Sequence, residues 1–281
     1  MIAALLLLCA AALIAVPHVL VRAERLRRSP RAALILWQAL SLSAVLCLLG
    51  AGPIAWLRPR PLPPVPGGVV TALATIASLG VLIHLLVRTH DVDRRIRTAR
   101  DEHRQLVDLV GRHEGEHTRV LKSEQVAAYC VPGARSRLVI TDALTALPSD
   151  QLAAVVAHEE AHLRERHDLV LEFFTVLHTA TPRFMRTDAA LTEVALLIEI
   201  IADRAAWQEV GEVSLARAIL SLAEAAGEQV PTGISAGAGA AATRIRLLLS
   251  DEPAPWQTLA LYLFCVAAPT TPPVLSVLVA G

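Results

Sequence analysis

Apolar residues gather in long unbroken runs at both ends of the chain. Residues 2–21 are nearly all apolar, residues 32–57 form a second run, 69–87 a third and 256–279 a fourth. A bilayer core needs about 20 apolar residues per helical crossing, so the runs predict about four transmembrane helices. Pro269, Pro272 and Pro273 must kink or shorten the last one. The first run has no basic segment before it and no small-residue cleavage site after it, so it reads as an anchor and not as a cleaved leader.

Between the third and fourth runs the pattern changes. Residues 88–110 set sparse apolar positions (Val92, Ile96, Val107) among charges and predict a wetted helix continuing the third span. Residues 119–121, 126–131 and 137–141 read as short strands, with a turn at 132–136. A helix follows from Ser149-Asp150, just after Pro148. Residues 169–179 form an apolar helix too short to span comfortably, and the small-residue stretch 233–242 reads as a flexible loop. The expected fold is a mainly α membrane protein whose domain 88–255 is α+β with a small sheet. Residues 1–87 would supply three spans and 256–281 the fourth.

Charge orients the spans. Arg22, Arg25, Arg27, Arg28 and Arg31 fill the first loop, and Arg88, Arg94, Arg95, Arg97 and Arg100 follow the third span. The second loop holds only Arg58 and Arg60. The positive-inside rule then predicts a multi-pass protein of the cell membrane with domain 88–255 cytoplasmic and both termini external. The proline-rich second loop, 58–66, favours extended polyproline geometry and reads as an external spacer. His84, polar at membrane depth, reads as a helix-packing residue.

At 54% hydrophobic residues, the composition fits a lipid bilayer as a partner. No basic patch interleaved with aromatics occurs, so direct nucleic-acid binding is not expected. Cys9, Cys47, Cys130 and Cys265 contain no paired spacing, which excludes a disulfide framework or a cysteine zinc site.

The chemistry gathers at His158-Glu159-Glu160-Ala161-His162. In this H-E-x-x-H pattern the histidines are four residues apart and share a helix face, so both imidazoles can reach one Zn2+ ion. Glu159 can then act as the general base in metal-assisted peptide hydrolysis, with one zinc per chain. Proteases that turn back after this motif place Gly and then His or Asp at fixed offsets. Here those places hold Glu165 and Asp168, so a continuing helix would carry Asp168 and His167 away from the metal. Glu199, inside the apolar stretch 196–202, is the candidate third ligand. Asp203, four residues on, shares its face and can accept a hydrogen bond from a ligand histidine. Pairing of both acids with Arg204 or another arginine is the competing reading. Arg204, His167 and His178 are the cations available to a developing oxyanion.

His158–His162 followed by Glu199 and Asp203 resembles the gluzincin arrangement. The wider string Ala128-Tyr129-Cys130-Val131-Pro132-Gly133, then Leu138-Val139-Ile140-Thr141, then the zinc helix, resembles the BlaR/MecR-type membrane metallopeptidases. That resemblance implies a cytoplasmic zinc endopeptidase domain acting on a cytoplasmic protein, commonly a DNA-binding repressor, in a signalling pathway. The penicillin-binding sensor that follows the fourth span in that family has no counterpart here. An HtpX-like quality-control protease and a non-catalytic signalling receptor are the alternatives.

Overall fold

The computed structural model describes residues 2–57, 64–227, 239–250 and 254–278. Its contacts divide the chain into two compact units. Unit 1 comprises Met1–Val92, Phe174–Val194 and Glu252–Gly281; unit 2 comprises Asp93–Phe173 and Ala195–Asp251.

Unit 1 is helical. Helices α1 (Ile2–Leu20) and α2 (Pro30–Leu57) pack through Leu6, Ala10 and Cys47. Helix α3 (Pro64–Val110) passes α2 closely at Gly52, whose N–H donates to Ser78 Oγ at 2.9 Å. A side chain at residue 52 would meet Thr75 Cα at 3.0 Å, so only glycine fits this crossing. The outward faces of α1 and α3 carry exposed Leu8, Leu73, Ile76 and Leu86, as lipid-facing helices require. Arg27, counted above only as a topology charge, makes a bidentate pair with buried Glu193 at 2.8 and 2.7 Å.

Among the described residues, three helices are long and apolar enough to cross a membrane: Ala3–Leu20, Pro30–Trp56 and Gly68–Val110. The expected fourth span forms helix α10 (Pro255–Leu278), but its described apolar stretch ends at Ala267. Three crossings among the described residues, an odd number, put the two termini on opposite sides of the membrane, which overturns the expectation that both are external.

The proline-rich loop expectation falls partly outside the described residues, at 58–63. Pro64 to Pro66 instead open α3, where proline's fixed φ suits a first helical turn. The expected flexible loop 233–242 likewise lies outside the described residues up to 238. From Ala240 the chain is helical, giving α9 (Ala240–Leu248).

Unit 2 joins a small open sheet to helices. Strands β1 (Arg112–Glu114), β2 (Thr118–Leu121), β3 (Ala128–Val131) and β4 (Arg137–Thr141) lie in the order β1-β2-β4-β3. Only β2 and β4 run parallel; the other neighbours are antiparallel. Alternation along β4 sends Leu138 and Ile140 into the main core, while Val139 packs with Val107 and Val131. Asp108, near the end of α3, takes Arg119 of β2 and Arg137 of β4 at 2.8 and 2.9 Å. The main core adds Leu144 of α4 (Asp142–Thr145), Val155 of α5 (Ser149–Arg164), Ala206 of α7 (Asp188–Val210) and Leu215 and Ile219 of α8 (Glu212–Ala225).

The helix expected to continue past His162 stops at Arg164. Arg166 adopts φ 52°, a left-handed conformation, and α6 (His167–Ala180) begins directly after it. An arginine here does the reversing that glycine commonly does at a helix end, at a steric cost.

Candidate metal centre

Helix α5 opens after Pro148 and runs without Gly or Pro through the H-E-x-x-H residues. The four-residue spacing puts His158 and His162 one above the other, with their Nε2 atoms 3.1 Å apart. Ala161, Ala202 and Ala205 pack together, and their small side chains let α5 and α7 approach closely. Glu199 is thereby set against both imidazoles. Its Oε2 lies 3.3 Å from His158 Nε2 and its Oε1 3.5 Å from His162 Nε2.

His158, His162 and Glu199 thus form a cluster capable of holding a metal ion, with ligand atoms all within 4.8 Å of one another. Zinc–ligand bonds of about 2.0–2.1 Å at tetrahedral angles separate neighbouring ligand atoms by about 3.3–3.4 Å. The His158–His162 edge of 3.1 Å lies near that value, and each imidazole has a different Glu199 oxygen close by, Oε2 at 3.3 Å from His158 and Oε1 at 3.5 Å from His162. Two nitrogens and one carboxylate oxygen also form the donor set that leaves a fourth position open for water.

Asp203 is fully buried, at 0% exposure, whereas Glu199 keeps 37%. The acid most in need of compensation is therefore Asp203. Arg244 of α9 supplies it: Nε donates to Oδ2 at 2.7 Å and Nη2 donates to Oδ1. Its Nη1 also lies 3.3 Å from Glu199 Oε2. The competing arginine reading and the metal cluster coexist, with Arg244 as the arginine. Asp203 Oδ1 sits 2.9 Å from His158 Nδ1, a close contact that falls short of hydrogen-bond alignment.

The electrostatics follow from this packing. Burial acts to lower the His158 pKa, but Asp203 and Glu199 overcome it and push the imidazole up to about 9. Burial and the neighbouring His158 charge lower His162. Burial acts to raise both acids, yet Asp203 is lowered by Arg244 and His158, and Glu199 by His158 and Arg244. Both carboxylates are thus held toward their ionised form by His158 and Arg244, the cations packed against them. Glu159 differs: burial raises its pKa, and Glu199's charge adds to the rise.

Two further contacts were not legible in the sequence. His167 is buried, and its Nδ1 meets His162 Nδ1 at 3.0 Å because the turn at Arg166 folds it back. Cys130 of β3 donates its thiol to the Glu159 carbonyl at 3.0 Å, fixing the strand against the zinc helix. Burial and Glu159 raise that thiol's pKa, so it stays protonated as a donor. Asp168 lies 3.4 Å from Arg100 and 3.3 Å from Arg166. His178 belongs to unit 1 and pairs with Asp188 at 2.8 Å.

Residues 70–229, more than half of the chain, match the profile of peptidase family M48. The matched stretch contains His158, Glu159, His162, Glu199 and Asp203, and ends before Arg244. No curated protein and no solved structure matches the chain.

Proposed function

Because the chain belongs to peptidase family M48, we propose that it is a membrane-anchored zinc endopeptidase of the broad, HtpX-like kind. It hydrolyses peptide bonds in proteins that reach the membrane. The family match moves the reading away from the single repressor substrate that the BlaR/MecR resemblance implied. The observation that carries the proposal is the cluster of His158, His162 and Glu199, whose ligand atoms all lie within 4.8 Å of one another.

In this reading His158, His162 and Glu199 hold the zinc. Bound there, zinc supplies Lewis acidity to a water molecule and to a substrate carbonyl. Glu159 takes a proton from the attacking water and later delivers it to the leaving amine. Its raised pKa, from burial and the Glu199 charge, suits a group that must hold that proton between the two steps. Asp203 Oδ1, 2.9 Å from His158 Nδ1, is placed to accept a hydrogen bond from Nδ1–H once the ring aligns, which would leave Nε2 free to hold the metal. His167 is placed likewise against His162. Arg244 holds Asp203 ionised and fixed for that task.

Substrate presentation falls to β3. Among the described residues β3 pairs only with β4, so its other edge can take an extended peptide as an added strand. The Cys130–Glu159 contact sets that edge beside the proposed base. Quantitative mass spectrometry of new protein termini in membranes expressing wild type or Glu159→Gln tests the reading. Many substrates cut only by wild type are expected; a single cleaved protein would return the assignment to a dedicated regulator.

A further inference from the structure

Unit 1 contains an open-sided cavity of about 600 Å³, separate in its residues from the metal centre. Leu13 and Ile14 of α1, Trp37 and Leu48 of α2, and Val81 and Leu85 of α3 supply its apolar walls. These are the three helices able to cross the membrane. The volume lies within the range of about 300–1,000 Å³ common to small-molecule sites.

The same cavity has a basic margin formed by His84, His178 and Arg186. His84 Nε2 lies 3.1 Å from the Ala180 carbonyl, and His178 is paired with Asp188. Arg186 is different. Its Nη2 donates to the carbonyls of Thr179 and Thr181 at 3.1 and 3.0 Å, while its buried Nε has no partner. Among the described residues no carboxylate pairs with this guanidinium. A half-buried cation beside an apolar cavity is costly without a counter-charge. An occupant that satisfies both parts must carry an apolar chain and an anionic head.

We propose that this cavity binds an anionic phospholipid of the surrounding bilayer, with an acyl chain between α1, α2 and α3 and its phosphate against Arg186. The site is independent of the zinc chemistry and stands whether or not the chain cleaves proteins.

Trp37 in the cavity wall is a built-in reporter. The full chain in phosphatidylcholine nanodiscs would be titrated with phosphatidylglycerol or phosphatidylcholine brominated in the acyl chains. The Trp37 signal is the fluorescence difference between wild type and Trp37→Phe. Phosphatidylglycerol is expected to half-quench Trp37 at a mole fraction at least five-fold lower than phosphatidylcholine. Arg186→Gln should abolish that preference, and Arg186→Lys should keep part of it. Equal quenching by the two lipids in wild type, or an unchanged preference in Arg186→Gln, overturns the proposal. So does displacement of the brominated phosphatidylglycerol by an apolar peptide as readily as by the unlabelled lipid. Native mass spectrometry of wild type provides a check that needs no variant. One retained phosphatidylglycerol per chain is expected, and loss of both lipids on release from the micelle contradicts the site.

Discussion

Arg244 and Asp203 form a two-point clamp behind the metal centre, with Nε on Oδ2 and Nη2 on Oδ1. Asp203 has no exposure to solvent, so its charge depends on this partner and on His158. The clamp holds the buried acid in place 2.9 Å from His158 Nδ1. Arg244→Met should therefore cost about 3–5 kcal/mol of stability by stranding a buried charge. It should also weaken zinc binding by about 10–100-fold, as loss of a ligand's supporting partner does. Chelator competition on purified protein measures the second effect. Zinc affinity equal to wild type would remove Arg244 from the centre's support.

His167 makes a parallel case on the second imidazole. Its Nδ1 lies 3.0 Å from His162 Nδ1 and holds that ring with Nε2 on the Glu199 side. His167→Ala should lower zinc affinity by about 10-fold while leaving the helix content unchanged. The same chelator competition, run beside circular dichroism, separates loss of support from loss of fold.

The turn between α5 and α6 carries a strained arginine. A non-glycine residue in the left-handed region costs about 1–2 kcal/mol, and Arg166 sits there with φ 52°. Arg166→Gly should raise thermal stability by about 1 kcal/mol, less the flexibility glycine adds to the unfolded chain. Arg166→Val should lower it. Unfolding midpoints in detergent would rank the three, and any order other than Gly above Arg above Val speaks against strain at this turn.

These residues also show what the sequence could and could not disclose. His158, His162, Glu199 and Asp203 were readable because each pair sits four apart on one helix, where spacing fixes direction. The strand at 137–141 was readable from its run of Leu138, Val139 and Ile140. Arg244 was not: 41 residues separate it from Asp203, and no periodicity links α9 to α7. His167 was hidden by Arg166, whose left-handed φ no residue-type rule assigns to arginine. The fourth apolar run was readable as a helix, and α10 forms over Pro255–Leu278, with Pro255–Ala267 as its apolar stretch among the described residues. The narrower family resemblance rested on strings around a motif that several peptidase families share, and the match over 70–229 supports the broader statement, a peptidase of family M48.

Membrane topology follows from the span count. An N-terminal tag and a cysteine at Glu116→Cys, in a background free of the native cysteines, should be labelled from opposite faces of sealed vesicles. Labelling from one face would require an even number of crossings between them, against the three helices α1, α2 and α3.

Zinc content and peptide cleavage, measured together on purified wild type and Glu159→Gln, address the central claim most directly. Wild type should carry about one zinc per chain and cleave an unfolded protein substrate. Glu159→Gln should keep its zinc and lose cleavage by about 10²–10⁴-fold, the usual contribution of a general base. Undiminished cleavage by Glu159→Gln with zinc bound, or a wild type that binds no zinc, would contradict the account.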